Sequence, residues 1–279
     1  MRPLILILFI SITALLSCNN TGNVKSEMYQ CSMKCEDEKT YDESGSCSVC
    51  GMQMQKVKTE NTVESNNSKV KIAGAMMNVM HKGELFGTIN LDTISNRQHL
   101  YGLGPIEYLR GEILIVDGIS YISKVAADGS IQMEETYQAK APFFVSENVE
   151  KWQEIKLPDS VQNISQLETY LDLTTKSHSR PFAFKLTATI DSCAIHIVNL
   201  PEGAEVHSPD EAHQNQKIFS IKNQNADLIG FFSTEHAGIF THHDTYVHIH
   251  LITTDKNQMG HVDKLLLAKG TAKLYLPLD

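Results

Sequence analysis

From Val70 onward, the pattern of apolar and polar positions alternates between strand-like stretches and short helical ones. Tyr246-Val247-His248-Ile249-His250-Leu251-Ile252-Thr253 places Val247, Ile249 and Leu251 on one face and His248 and His250 on the other. Asp255-Lys256-Asn257-Gln258 reads as a turn, so Met259-Gly260-His261-Val262 returns alongside. Earlier, Glu112-Ile113-Leu114-Ile115-Val116 and Ile119-Ser120-Tyr121-Ile122-Ser123 flank Asp117-Gly118, the signal of a two-residue hairpin. Ala127-Asp128-Gly129-Ser130 marks another turn. Further strands are expected at 217–221, 227–233 and 271–276, with one or two more in 182–198. One helix stands out: Ser165-Gln166-Leu167-Glu168 has capping-box spacing, and Leu167, Tyr170, Leu171 and Thr174 follow at helical intervals. The pattern predicts an α+β domain over 69–279, with a mixed or antiparallel sheet and few helices.

The start of the chain breaks this pattern. Met1-Arg2 is followed by an apolar stretch at 3–16 and then Leu15-Leu16-Ser17-Cys18. That arrangement reads as a secretory signal over 1–17, and its end is similar to a bacterial lipobox. The resemblance implies cleavage before Cys18, lipidation of that cysteine, and an exported lipoprotein held on the periplasmic or cell-surface side. Residues 18–27 then form a polar tether. The formal net charge of −9, without a basic cluster, argues against a nucleic-acid partner.

Residues 28–58 hold Cys31, Cys35, Cys47 and Cys50, spaced Cys-x3-Cys, eleven residues, Cys-x2-Cys. About thirty residues bury too little apolar surface to fold unaided, so a bound metal or disulfides must supply the stability. Either a thiolate metal site or two bridges accounts for the four thiols. Tyr29-Gln30-Cys31-Ser32-Met33 with Cys47-Ser48-Val49-Cys50-Gly51-Met52 resembles the bacterial heavy-metal-binding domain. The departures are Ser32 and Ser48 for two prolines and Lys34 for a histidine, while the additional Cys35 offers a fourth ligand. Thiolates and nearby methionine thioethers suit zinc or a soft ion such as Cu(I). The polar stretch 59–68 is a linker.

The three histidines at 248, 250 and 261 carry the candidate chemistry. Two imidazoles on one strand face lie roughly 7 Å apart at the backbone. With a third from the returning strand they grip one ion and leave a coordination position open, as in catalytic zinc sites. Several ordered stretches then resemble the acetolactate decarboxylase family: Gly102-Leu103-Gly104 through Leu109-Arg110-Gly111-Glu112, Ala141-Pro142-Phe143, Pro181-Phe182-Ala183-Phe184-Lys185, Leu228-Ile229-Gly230-Phe231, and His248-Ile249-His250 with Gly260-His261. The likeness covers roughly 69–279. It implies zinc held by His248, His250 and His261, Glu112 beside it as the proton donor, a 2-hydroxy-3-oxo acid such as acetolactate as substrate, acetoin and CO2 as products, and a homodimer.

Two departures from that family bear on the chemistry. Its arginine position falls on His196, and an imidazole does not reproduce a permanent bidentate guanidinium. The family's C-terminal tail, which returns a second glutamate to the metal, has no counterpart around Leu276-Pro277-Leu278-Asp279. Three readings of function therefore stand: a zinc-dependent carbon–carbon lyase, a membrane-anchored lipoprotein that captures or buffers metal on a decarboxylase fold without catalysis, or a decarboxylase fold kept as a partner-binding domain. Glu112 favours the first, because storage has no need of it; the fused thiol module favours the second. His236, His242 and His243 read more simply as loop residues than as extra ligands, and Cys193 as a small buried apolar residue.

Overall fold

The structure is a computed structural model, and it describes residues 28–31, 36, 39–49, 53–56 and 69–278. Cys18, Cys35 and Cys50, with the signal, tether and linker readings, lie outside the described residues. In the small module, Tyr29–Gln30 pairs antiparallel with Gln55–Lys56. Isolated bridges join Tyr29 to Tyr41 and Ser46 to Gln53. Cys31 and Cys47 are both buried within it.

Two six-stranded antiparallel sheets build most of the large domain, beside a short antiparallel pairing of Ile89–Asn90 with Lys140–Ala141. The first contains β1 (Lys71–Gly74), β2 (Leu100–Pro105), β3 (Glu112–Val116), β4 (Ile119–Val125), β5 (Ile131–Glu135) and β6 (Phe143–Asn148), in the order β1-β6-β2-β3-β4-β5. The second contains β7 (Trp152–Lys156), β8 (Phe182–Ile197), β9 (Lys217–Phe232), β10 (Val247–Thr253), β11 (Met259–Leu267) and β12 (Lys273–Pro277), in the order β7-β12-β8-β9-β10-β11. Helices α1 (Met76–Lys82), α2 (Ile164–Thr174) and α3 (Pro209–Ala212) are short. The fold is α+β with few helices, as the alternation predicts.

β8 organises the second sheet. Its first half pairs with β12 through Lys185, Leu186 and Thr187, and its second half pairs with β11 from Ile190 to His196. β9 runs along its other edge for almost the whole length. Because β9 also pairs with β10, and β10 with β11, these four strands close into a ring. Register shifts between Ile190 and Ser192, and again between Ala194 and Ile195, mark where β8 bends to meet β11. Phe184, Ile190, Ile195, Leu228, Ile249, Leu251 and Val262 belong to the core enclosed on one side of this sheet. Leu103, Leu114 and Val145 of the first sheet pack against Ile229, Phe231, Ile252 and Met259 of the second.

The sequence signals are met with two adjustments. The segments 217–221 and 227–233 form one continuous strand, because the polar residues between them keep their ladder to β8 on the exposed side. Helix α2 is capped by Asn163, not Ser165: Asn163 Oδ1 accepts from Gln166 N at 2.9 Å, and the Gln166 side chain returns the bond to the cap. The displaced member of the expected box, Glu168, has another partner. Its Oε1 accepts from Tyr246 N at 2.7 Å and from the Thr245 hydroxyl, clasping α2 to the segment leading into β10. Cys193 is buried in the core, and burial pushes its thiol up to about 12.

Removing the real cap should cost stability where removing the apparent one does not. Asn163→Ala is expected to lower unfolding free energy by about 1 kcal/mol. Ser165→Ala, at an exposed position, should stay within about 0.5 kcal/mol. Urea denaturation of both variants checks this.

Candidate metal centre

Register brings the histidines together. His250 pairs directly with His261, and His261 pairs on its other edge with His196, so three imidazole-bearing residues form one row across β10, β11 and β8. His248 lies two residues along β10 on the same face as His250. Gly260 permits the approach of β11 to β8, because a Cβ there would lie 2.6 Å from the His196 carbonyl oxygen.

One nitrogen each from His248, His250 and His261 lie within 4.8 Å of one another. The ring centroids are 5.1 Å apart for His248 and His250, 4.8 Å for His248 and His261, and 5.6 Å for His250 and His261. Imidazoles around one tetrahedral ion at Zn–N distances of about 2.0–2.1 Å require separations of about 5 Å. His250 is fully buried, and its Nε2 has no hydrogen-bond partner among the described residues. Burial first, then the charge of His196, holds His250 down to about 3. Burial likewise holds His248 and His261 well below the usual imidazole range. Neutral imidazoles with a lone pair to give are what a divalent transition metal requires. The donor set fits such an ion.

Glu112, at the start of β3, faces the cage from the other sheet. It is only 2% exposed, and its Oε2 lies 3.7 Å from His250 Nε2. Val198 N donates to Oε1 at 3.1 Å and fixes the carboxyl. Burial pushes Glu112 up to about 7, against the opposing pull of His196 and the Val198 hydrogen bond. Gly111 immediately before it has φ +137°, and a Cβ there would meet the Ser123 carbonyl oxygen at 2.4 Å. Only glycine delivers the carboxyl by this turn.

The family model described as alpha-acetolactate decarboxylase matches residues 50–276, and one for a heavy metal binding domain matches 28–57. The chain belongs to the alpha-acetolactate decarboxylase family. An alpha-acetolactate decarboxylase of Methanosarcina mazei is 29% identical over 175 residues, and one of Brevibacillus brevis is 28% identical over 187. Those matches cover 62% and 67% of this chain, and span 58% and 62% of the relatives' own lengths. Among solved structures, alpha-acetolactate decarboxylase of Bacillus subtilis shares the fold at 20% identity with a TM-score of 0.61. That superposition covers 76% of this chain and 86% of the other. A Staphylococcus aureus protein of unknown function similar to the decarboxylase gives 0.59 at 14% identity, over 75% of this chain and 86% of its own.

On this decarboxylase fold, His248, His250, His261 and Glu112 converge, and His196, reached from sequence only by counting along a strand, sits beside them. His196 Nδ1 donates to Asp263 Oδ1 at 2.6 Å, and its ring lies 4.7 Å from that of His261. Burial alone would lower the His196 pKa, but the bond to Asp263 and the charges of Glu112 and Asp263 outweigh it and raise it. Asp263 was not singled out in the sequence, although it shares the face of His261 by the strand period of two. His242 lies in the loop before β10, as expected. It is partly buried, 5.7 Å from the His261 ring, and burial pulls it down to about 4. His243 is exposed, and His236 Nδ1 bonds the Ser233 hydroxyl at 2.7 Å.

Replacing His248 and His250 together by Ala should abolish binding of one metal ion per chain. Elemental analysis after dialysis against zinc checks this; metal content equal to that of the unaltered chain would reject the three-histidine site.

Proposed function

We propose that the large domain is a zinc-dependent decarboxylase of acetolactate, or of a closely related 2-hydroxy-3-oxo acid, releasing CO2 and an acetoin-type hydroxyketone. The observation that carries this reading is the buried Glu112 carboxyl held against the three-histidine cluster. A site serving storage alone gains nothing from a carboxyl whose proton affinity is raised.

Zinc held by His248, His250 and His261 would supply a Lewis acid that draws electron density from the substrate's oxygens. The protein's own part is proton management. Loss of CO2 leaves an electron-rich carbon that must be protonated, and Glu112, whose proton affinity burial raises, is the group placed to deliver that proton. Val198 N pins Oε1, which leaves Oε2 to face the cage. His196, oriented by Asp263, places a second polar group on the far side of His261. The surrounding apolar packing from Phe143 against His248 limits water.

Two further expectations belong to the whole chain. The apolar start ending at Cys18 supports an exported, lipid-anchored protein. The module with buried Cys31 and Cys47 supports a second role in metal capture, by zinc or a soft ion, through Cys31, Cys35, Cys47 and Cys50. That second reading needs no catalysis and serves as the competing account of the fusion.

The zinc-loaded full chain incubated with racemic acetolactate should form acetoin faster than the spontaneous reaction. Glu112→Gln should reduce kcat by about 100-fold or more, the scale of general acid catalysis. Acetoin formation at the spontaneous rate, or a Glu112→Gln rate equal to that of the unaltered chain, would remove the decarboxylase reading and leave metal capture.

A further inference from the structure

We propose a second transition-metal site beside the three-histidine cage, with the imidazoles of His196, His213 and His242 as its donors. It requires neither decarboxylase activity nor occupation of the cage.

These side chains arrive from three separate segments. His196 ends β8, His213 follows α3 as its C-terminal cap, and His242 lies in the loop before β10. All three line one cleft of about 680 Å³, together with Glu168, Asp263 and His261. The ring contacts form a chain from His196 through His213 to His242 that closes only through His261. His261 to His196 is 4.7 Å, His196 to His213 is 5.8 Å, His213 to His242 is 6.4 Å, and His242 to His261 is 5.7 Å. Imidazoles gathered around shared space without hydrogen bonds between them are the arrangement that a borderline divalent ion such as zinc, cobalt, nickel or copper selects.

The outer bonds decide which nitrogens are available. His196 Nδ1 donates to the Asp263 carboxylate at 2.6 Å. His213 Nδ1 donates to the Pro209 carbonyl oxygen at 2.7 Å. The bond to the carbonyl places a proton on His213 Nδ1 and leaves Nε2 to an ion, while the bond to Asp263 turns His196 Nε2 outward, where an arriving metal displaces the proton that Nε2 carries in the charged ring. Two of the three donors are thus oriented as ligands. His261 forms the wall between the two sites and is counted with the cage.

The spacing also ranks the sites. The cage separations of 4.8 to 5.6 Å already match a single tetrahedral ion, whereas 5.8 and 6.4 Å must contract for all three imidazoles to bind one. The second site therefore binds more weakly than the cage and keeps positions for water or an anionic ligand.

Cobalt(II) titration of the full chain, followed by isothermal calorimetry and visible absorption, tests this. A phase weaker than that of the cage is expected. His213→Ala and His242→Ala, made singly, should each weaken that phase at least tenfold while leaving the tighter phase intact. His243→Ala, an exposed neighbour, should change neither. The His248→Ala plus His250→Ala variant should lose the tighter phase and keep the weaker one, and thiols of the small module are common to every variant. Circular dichroism melts establish that each variant is folded; should His242→Ala not fold, His213→Ala, at a partly exposed cap, decides alone. Equal cobalt uptake and affinity in His213→Ala and the unaltered chain would overturn the proposal.

Discussion

The site depends on strand register. His250, His261 and His196 occupy one row because β10, β11 and β8 are hydrogen-bonded side by side, and His248 joins them through the two-residue period of β10. Slipping any of these strands by one residue would send its imidazoles to the opposite face and bring apolar side chains into the polar pocket. The core holds the register. Val247, Ile249 and Leu251 on one face of β10 are buried in the enclosed core, so a slip would drive the imidazoles into that apolar core and take these side chains out of it. The geometry of the donors is in this sense a by-product of hydrophobic packing on the other side of the same strands.

Two sheets then divide the chemistry. The second provides the histidines, and the first provides Glu112, whose position depends on the turn through Gly111 and on the neighbouring Val198 N–H. Around that junction, Leu109, Phe143 and Val198 pack with Met76, Val79 and Met80 of α1. The small helix thus braces the joint between a strand start and a strand end rather than covering a sheet face. A buried carboxyl beside buried neutral imidazoles stores a high cost of charge separation, which an arriving cation relieves.

Local signals in the sequence carried far. The Asp117-Gly118 hairpin, the facing of His248 and His250, and the turn before His261 all depend on contacts within about twenty residues, and all are read from spacing. The start of α2 was displaced because Asn163-x-x-Gln166 and Ser165-x-x-Glu168 overlap, and spacing alone does not rank them. His213 and Asp263 escaped, and His242 was read only as a loop residue, for a different reason. Their proximity follows from closure of the strand ring, which joins β8 to β11 across about seventy residues, and no local pattern announces that pairing. Asp263 alone had a usable clue, its two-residue distance from His261.

The divided pairing of β8 has a consequence for how the molecule opens. Its backbone is bonded on one edge to β9 throughout, and on the other first to β12 and then to β11. No neighbour can leave without exposing part of β8, yet β12 can peel away with β7 while the ring of β8, β9, β10 and β11 stays intact. The sheet thus has a natural seam at Thr187, between a detachable margin and a cyclic unit that opens as a whole. All four histidines of the row and cage lie on the cyclic side of that seam. Local opening confined to that margin would leave the donor geometry undisturbed.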